Sequence, residues 1–137
     1  MNSINSVKLT TLKKIENSAG DIHKLLNSSE EDFKGFGEIY TSEVKMNSIK
    51  AWKLHKFNDL NLVVIKGKVK FVFYDKTSFR EIITCENKLE RIFVPAKIWF
   101  GFKCLSNSTS LILSLSNEVH SEDEVLRKEL KSITYCW

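Results

Sequence analysis

Residues 49–75 read IKAWKLHKFNDLNLVVIKGKVKFVFYD, and this stretch decides the expected fold. After its single glycine, Gly67, every second residue from 69 to 73 is Val or Phe, the alternation of a half-buried β-strand. Before the glycine, Lys53 and His55 stand two positions apart on another predicted strand, so their side chains share one face. The stretch therefore predicts two neighbouring strands, the first of which carries a lysine and a histidine together.

Size and composition predict one cytoplasmic domain. The chain has 137 residues, 42% of them hydrophobic, which is enough for one core but not for two ordinary domains, so residues 1–137 are expected to form a single domain. Its 21 basic and 17 acidic residues leave a net charge of +4 without long runs of like charge, which argues against a nucleic-acid partner. Neither a signal peptide nor an apolar run long enough to span a membrane is present. Cys85, Cys104 and Cys136 lack C-x-x-C spacing and are expected to be reduced thiols.

Short strand patterns continue along the rest of the chain. They share alternating or short apolar runs bounded by polar residues, and they cover residues 8–15, 21–26, 37–45, 79–84, 91–94, 99–105 and 111–115. Many short strands at close spacing predict an antiparallel sandwich or barrel. Residues 120–131 instead predict a short C-terminal helix. On this helix Arg127 is interpreted as a surface partner of Glu124 at i, i+3 spacing or of Asp123 at i, i+4 spacing. The expected fold class is all-β with one helix at its end.

Five short motifs can be compared with a known family. They are Gly37-Glu38-Ile39-Tyr40, Lys50-Ala51-Trp52-Lys53-Leu54-His55-Lys56, Gly67-Lys68-Val69, PAKIWFGF at 95–102, and the segment from Asn117 through Asp123-Glu124 to Arg127. Their order resembles the cupin family of dTDP-4-dehydrorhamnose 3,5-epimerases, especially its short members associated with bacterial surface polysaccharides such as the O-antigen of lipopolysaccharide. The resemblance covers about residues 7–127. It implies a cupin (jelly-roll) barrel, a nucleotide-sugar substrate and a homodimer.

The resemblance also implies a reaction. Such enzymes remove the proton next to the 4-keto group of a nucleotide sugar and return a proton from the other face, which needs a base, an acid and a group that stabilises the enolate. The family's catalytic histidine falls on Lys53, and its second histidine falls on Phe100. Tyr40 is the candidate acid, and Glu38, on the same strand face, is a candidate substrate contact. The alternative for Tyr40 is a tyrosine packed on the barrel wall.

Lys53 and His55 are the candidate catalytic pair, because the cupin layout turns both side chains inward. Burial disfavours a charged lysine, so an enclosed Lys53 either has its pKa drawn down towards that of a base or stays cationic beside an enolate or a diphosphate. A lysine that reaches out to the barrel mouth is the alternative. For His55 a role in the pocket is favoured over that of a hydrogen-bonded core histidine.

The remaining expected substrate contacts are Lys50, Trp52, Asn61 and Phe100. Lys50 matches the family's arginine and could meet a diphosphate as a point charge, although an exposed strand lysine is the alternative. Trp52 could stack on a nucleobase or sugar, and a buried core aromatic is the alternative. Asn61 and Phe100 fall where a cupin metal site carries a glutamate and its last histidine, so only His55 remains of that ligand set. We therefore expect no metal and no cofactor.

Two hypotheses for function follow from these residues. The first is a cofactor-free epimerase or isomerase acting on a dTDP-4-keto-6-deoxyhexose, with a 3,4-ketoisomerase as a variant that uses the same enolisation. The second is a catalytically inactive cupin that binds a nucleotide sugar or a partner protein, since both family histidines are replaced.

Overall fold

The computed structural model describes residues 2–137, which form strands and short 3-10 turns without any α-helix in that range. The strands are β1 (Lys8–Thr11), β2 (Lys13–Ile15), β3 (Ile22–Lys24), β4 (Glu38–Val44), β5 (Ile49–His55), β6 (Leu60–Lys66), β7 (Lys68–Tyr74), β8 (Phe79–Cys85), β9 (Glu90–Val94), β10 (Trp99–Cys104), β11 (Ser110–Ser116) and β12 (Val125–Arg127). No helix among the described residues is long and apolar enough to cross a membrane.

Two five-stranded antiparallel sheets form the barrel. Sheet 1 has the strand order β1-β9-β6-β11-β4, sheet 2 has the order β12-β5-β10-β7-β8, and β2 pairs with β3 in a separate hairpin. Many neighbouring strands are distant in sequence, as in a jelly roll. The expected all-β cupin barrel is confirmed. In this topology β4 is an edge strand of sheet 1, and β5 lies next to the short edge strand β12 of sheet 2.

The core lies between the two sheets and follows the alternation of the strands. Val69, Phe71 and Phe73 are completely buried on the inner face of β7, as the sequence pattern predicts. Leu62 on β6 and Ile112 on β11 meet them from sheet 1. Burying a side chain of this size stabilises the fold by about 1.5–3 kcal/mol. The apolar face of each strand therefore holds the sheets together.

Strand β11 turns a mainly polar face inward. Ser110, Ser114 and Ser116 are buried together with Ile112, whereas the leucines between them are only partly buried on the outer face of sheet 1. The buried hydroxyls are paired, since Ser116 Oγ donates to the carbonyl of Glu118 at 2.7 Å and hydroxyls need such partners when buried. The inner wall beside β4 is consequently polar.

The predicted C-terminal helix is wrong. Two 3-10 turns, Glu122–Glu124 and Leu130–Ser132, flank strand β12 in its place. β12 pairs with the edge of β5, which otherwise would present unpaired backbone groups. Ser121 makes no capping hydrogen bond with its side chain, so the helix lacks the N-terminal contact that its sequence suggested. The last residues then cover the outer face of sheet 2, where Trp137 packs 5.2 Å from Trp52.

Candidate active site

A small cavity lies between the inner faces of β4 and β5. Glu38 and Tyr40 pair with the buried serines of β11, which turns both side chains towards the barrel interior. The cavity has a volume of about 250 Å³ and is lined by Glu38, Tyr40, Lys53, His55, Asn58, Ser116 and His120. The structure thus brings together four residues that the sequence singled out, from two different sheets.

A buried histidine of this cavity forms a short contact with a buried carboxylate behind it. His55 Nδ1 lies 2.6 Å from Glu124 Oε1, and the two residues are 7% and 4% exposed. Glu124 Oε2 also accepts the backbone N–H groups of Phe57 at 3.2 Å and Asn58 at 3.1 Å. These contacts hold the imidazole in one orientation. The other ring nitrogen, Nε2, is buried without a hydrogen-bond partner among residues 2–137.

The electrostatics of this pair determine its protonation. Burial lowers the pKa of His55 below its usual range, against the raising effect of Glu124. Burial alone would raise the pKa of Glu124, but the hydrogen bonds from His55 and from the backbone of Asn58 and Phe57 hold it below its usual range. A neutral imidazole therefore donates its Nδ1–H to an ionised carboxylate. Nε2 is left with a free lone pair, as a general base requires.

Tyr40 and Lys53 have pKa values shifted in opposite directions by burial. Burial raises the pKa of the Tyr40 phenol, so it stays protonated and can donate. Burial, followed by the nearby charges of Arg127 and Lys50, lowers the pKa of Lys53. Among the described residues no carboxylate oxygen lies within 4.0 Å of the Lys53 ammonium. The cavity thus holds a proton acceptor, a proton donor and an unpaired cation.

A second, larger cavity of about 660 Å³ adjoins the first, and Lys53 lines both. Lys50 and Phe100 also line it, as the sequence predicts for substrate contacts. Lys50 Nζ donates to Ser42 Oγ at 2.9 Å, which joins β5 to β4. The Phe100 ring stacks against the imidazole of His55, with 6.0 Å between the ring centres. In the described part of the chain no group of three His, Cys, Asp or Glu residues is arranged to hold a metal ion.

Of the two other predicted substrate contacts, Asn61 lies away from both cavities and Trp52 is mainly a buried core residue. Asn61 points to the outer face of sheet 1, where it donates to the carbonyl of Asp32 at 3.0 Å and accepts from Arg91. It lines neither cavity, because one step along β6 moves a side chain to the opposite face. Trp52 is 2% exposed and donates its Nε1–H to the carbonyl of Leu130 at 3.1 Å. It belongs to a second apolar cluster on the outer face of sheet 2, here called the outer cluster, which consists of Trp52, Leu54, Val72, Trp99 and Ile133. Trp52 is thus a core aromatic, the alternative stated above, and it is also among the residues that line the larger cavity.

The sequence analysis missed Glu124, which it interpreted as part of a surface charge pair. The predicted helix would have left Glu124 at the surface, whereas β12 and the turn before it carry the carboxylate beneath His55. Asn58, Ser116 and His120 were also missed, and they have no spacing signal because they come from three separate segments. For Glu124 the sequence offered one signal, the segment from Asn117 to Arg127 that resembles the family.

Comparisons with known proteins identify the family. A family sequence model described as "FdtA: WxcM-like, C-terminal" matches residues 5–136. Among curated proteins, none matches this chain.

Solved structures share the fold at low sequence identity. A dTDP sugar isomerase from Desulfovibrio desulfuricans G20 is 24% identical with a TM-score of 0.85 over 93% of this chain and 86% of the other. A dTDP-4-dehydrorhamnose 3,5-epimerase from Bacillus anthracis, with TDP and PPi bound, is 17% identical with a TM-score of 0.84 over 100% and 87%. The sugar 3,4-ketoisomerase QdtA from Thermoanaerobacterium thermosaccharolyticum, in complex with TDP, is 16% identical with a TM-score of 0.80 over 92% and 90%. Since the family model spans nearly its whole length, this chain belongs to the FdtA family of WxcM-like C-terminal domains.

Proposed function

We propose that this protein is a metal-independent epimerase or isomerase that acts on a dTDP-4-keto-6-deoxyhexose. The observation that carries the proposal is the buried His55–Glu124 pair, in which His55 Nε2 has no hydrogen-bond partner among the described residues, and the cavity that His55 lines together with Tyr40 and Lys53. A substrate in this cavity would supply the hydrogen-bond partner that Nε2 lacks. The family and the sugar-nucleotide enzymes of similar fold support the choice of substrate class.

The reaction begins with loss of the proton next to the keto group. His55 takes this proton on Nε2, and Glu124 stabilises the imidazolium that forms. Tyr40 then donates a proton from the opposite wall, because it belongs to sheet 1 whereas His55 belongs to sheet 2. We assign the base to His55 and not to Lys53, since the neutral imidazole already has a lone pair. Lys53 keeps a catalytic role as a cation that faces negative charge on the bound substrate.

Epimerisation and keto transfer share the first proton removal and differ in the carbon that is protonated next; keto transfer also moves the proton of the C3 hydroxyl to the C4 oxygen. Return to the same carbon from the other face inverts its configuration, and the opposite placement of Tyr40 and His55 favours this outcome. Return to the former carbonyl carbon moves the keto group between C3 and C4. The 3,4-ketoisomerase of similar fold supports this second outcome, as the 3,5-epimerase of similar fold supports the first. Both products would serve the synthesis of bacterial surface polysaccharide, and with three free cysteines we propose a cytoplasmic location.

The test is solvent-deuterium incorporation into a panel of dTDP-4-keto-6-deoxyhexoses, read by NMR. We expect deuterium next to the keto group, abolished in His55→Asn. An inverted carbon with the keto group still at C4 indicates an epimerase, and a keto group at C3 indicates a ketoisomerase. Absence of exchange with every sugar would refute the enzyme proposal. If dTDP still binds in that case, the alternative of a binding protein without catalysis is supported.

We also propose a homodimer formed through the outer face of sheet 1. The leucines of β11 lie on this face beside Ile39 and Phe36, which are 53% and 64% exposed, around an apolar hollow of about 270 Å³. A contiguous apolar patch is unusual on the surface of a monomer. Light scattering should give a dimer for the wild type and a monomer for Leu113→Lys. Ile22→Lys on the separate hairpin is the matched control, and a monomeric wild type would contradict the proposal.

A further inference from the structure

A row of three stacked rings crosses the inner face of sheet 2 and ends at His55. The rings belong to Phe73 on β7, Phe100 on β10 and His55 on β5, which are neighbouring strands in that sheet. Ring centres lie 6.2 Å apart between Phe73 and Phe100 and 6.0 Å apart between Phe100 and His55, and the ring planes differ by 26° and 23°. The imidazole is therefore the last ring of an aromatic row that belongs to the barrel core.

The strand register explains why Phe100 reaches His55. Phe100 is paired with Phe73 on one side and with Lys53 on the other, so the three side chains share one face of the sheet. His55 lies two residues beyond Lys53 on that face, which makes it the diagonal neighbour of Phe100, within reach of an aromatic side chain. The register shift between β10 and β5 lies between Phe100 and Phe102, on the side away from His55, and leaves this pairing regular.

Phe100 and Glu124 restrain different parts of the imidazole. Glu124 accepts Nδ1–H at 2.6 Å, which fixes one edge of the ring, whereas the Phe100 ring covers a face. Phe100 is 4% exposed and apolar, so it keeps water from that face without adding charge. The charged and titratable groups around His55 come from other elements, namely Glu124 before β12, Lys53 on β5, Glu38 and Tyr40 on β4, and His120 in the loop after β11. Replacing Phe100 therefore changes the hydration and tilt of the imidazole while these groups stay in place.

We propose that Phe100 is a positioning residue for His55: it holds the imidazole in the plane in which Nδ1–H meets Glu124, and it shields one face of the ring from water. This proposal rests on the proposed function, in which His55 is the base. Burial is the largest cause that lowers the pKa of His55, and the stacked phenyl ring supplies part of that burial. A non-planar side chain at position 100 would admit water beside the imidazole, and water stabilises the imidazolium. A weaker contact with Glu124 acts in the opposite direction, but it is the smaller cause.

The experiment follows the histidines of the substrate-free protein by NMR as the pH is varied, with the exposed His23 on β3 as the internal reference. We expect Phe100→Leu to raise the proton affinity of His55 by about threefold or more, and the Nδ1–H signal to exchange faster with solvent. Phe100→Met, which nearly conserves the core volume, should give the same changes with a smaller loss of stability. Phe71→Leu is the matched control, because Phe71 is completely buried in the same core but stacks on Phe73 and not on His55. Circular dichroism verifies that each variant folds.

The outcomes separate this proposal from the proposed function, because the titration needs no substrate. A higher proton affinity of His55 and faster Nδ1–H exchange in the Phe100 variants, with Phe71→Leu unchanged, support the positioning role even if no sugar undergoes deuterium exchange. An unchanged or lower proton affinity in a folded Phe100 variant overturns it, even if sugars do exchange. An equal change in Phe71→Leu also overturns it, because the effect would then come from a loosened core.

Discussion

Replacing Glu124 by glutamine tests the catalytic pair most directly, because it removes the charge while keeping the shape. The carboxylate accepts His55 Nδ1–H at 2.6 Å through one oxygen and two backbone N–H groups through the other. The single amide oxygen of glutamine can satisfy the backbone donors, and its NH₂ group then faces His55. Nδ1 must now accept, so the imidazole proton moves to Nε2 and the lone pair of the base is lost.

The expected magnitudes follow from these contacts. An incorrect histidine tautomer and a loosened ring should lower the rate of deuterium exchange by about 10²–10⁴-fold, the usual contribution of an oriented general base. Exchanging a charge-assisted hydrogen bond for a neutral one should lower the free energy of unfolding by about 1–2 kcal/mol. Glu124→Ala leaves three donors without acceptors and should cost about 3 kcal/mol or more.

The assay combines single-turnover deuterium exchange with urea denaturation. Glu118→Gln is the matched control, because Glu118 is exposed and precedes the same turn. A folded Glu124→Gln protein that exchanges within threefold of the wild type would show that His55 is not the base. Equal destabilisation by the glutamine and alanine variants would contradict the hydrogen-bond assignment.

Three other predictions follow from the site and the outer cluster. Burial depresses the pKa of His55 below 6.5, so above pH 6.5 the imidazole is neutral and its contribution to stability is complete, and both are lost as the pH falls below that value. The ascending limb of the pH profile of kcat/KM should therefore have its midpoint below 6.5. A midpoint above 6.5 would be inconsistent with His55 as the base. Tyr40→Phe should reduce epimerised product by about 10²-fold or more while deuterium exchange continues, and equal loss of both signals in NMR would argue against Tyr40 as the acid. Trp52→Ala should lower the free energy of unfolding by about 3–5 kcal/mol in urea titrations, whereas a loss under 1 kcal/mol would contradict its burial beneath the C-terminal tail.

Strand patterns predicted which candidate residues share a strand face, but they did not place all of the candidates at the cavities. Glu38 and Tyr40, and likewise Lys53 and His55, share faces because side chains alternate along a strand, and this can be read from two-residue spacing. Asn61 could not be placed in the same way, because nothing in the apolar run around it indicates which face of β6 turns inward. The helical pattern of residues 120–131 covers too few residues to exclude the alternative that forms, a short strand paired with the edge of β5.

The sequence by itself determined the all-β class, the apolar face of β7 and the shared face of Lys53 and His55 on β5, because these depend on local alternation. Only the tertiary structure decided that Glu124 lies beneath His55, that Arg127 stands opposite Lys53, and that the leucines of β11 face outward. Those features depend on which distant strands pair and in which register. Pairing is a property of the whole barrel, since each strand finds its partner only when the complete core is buried.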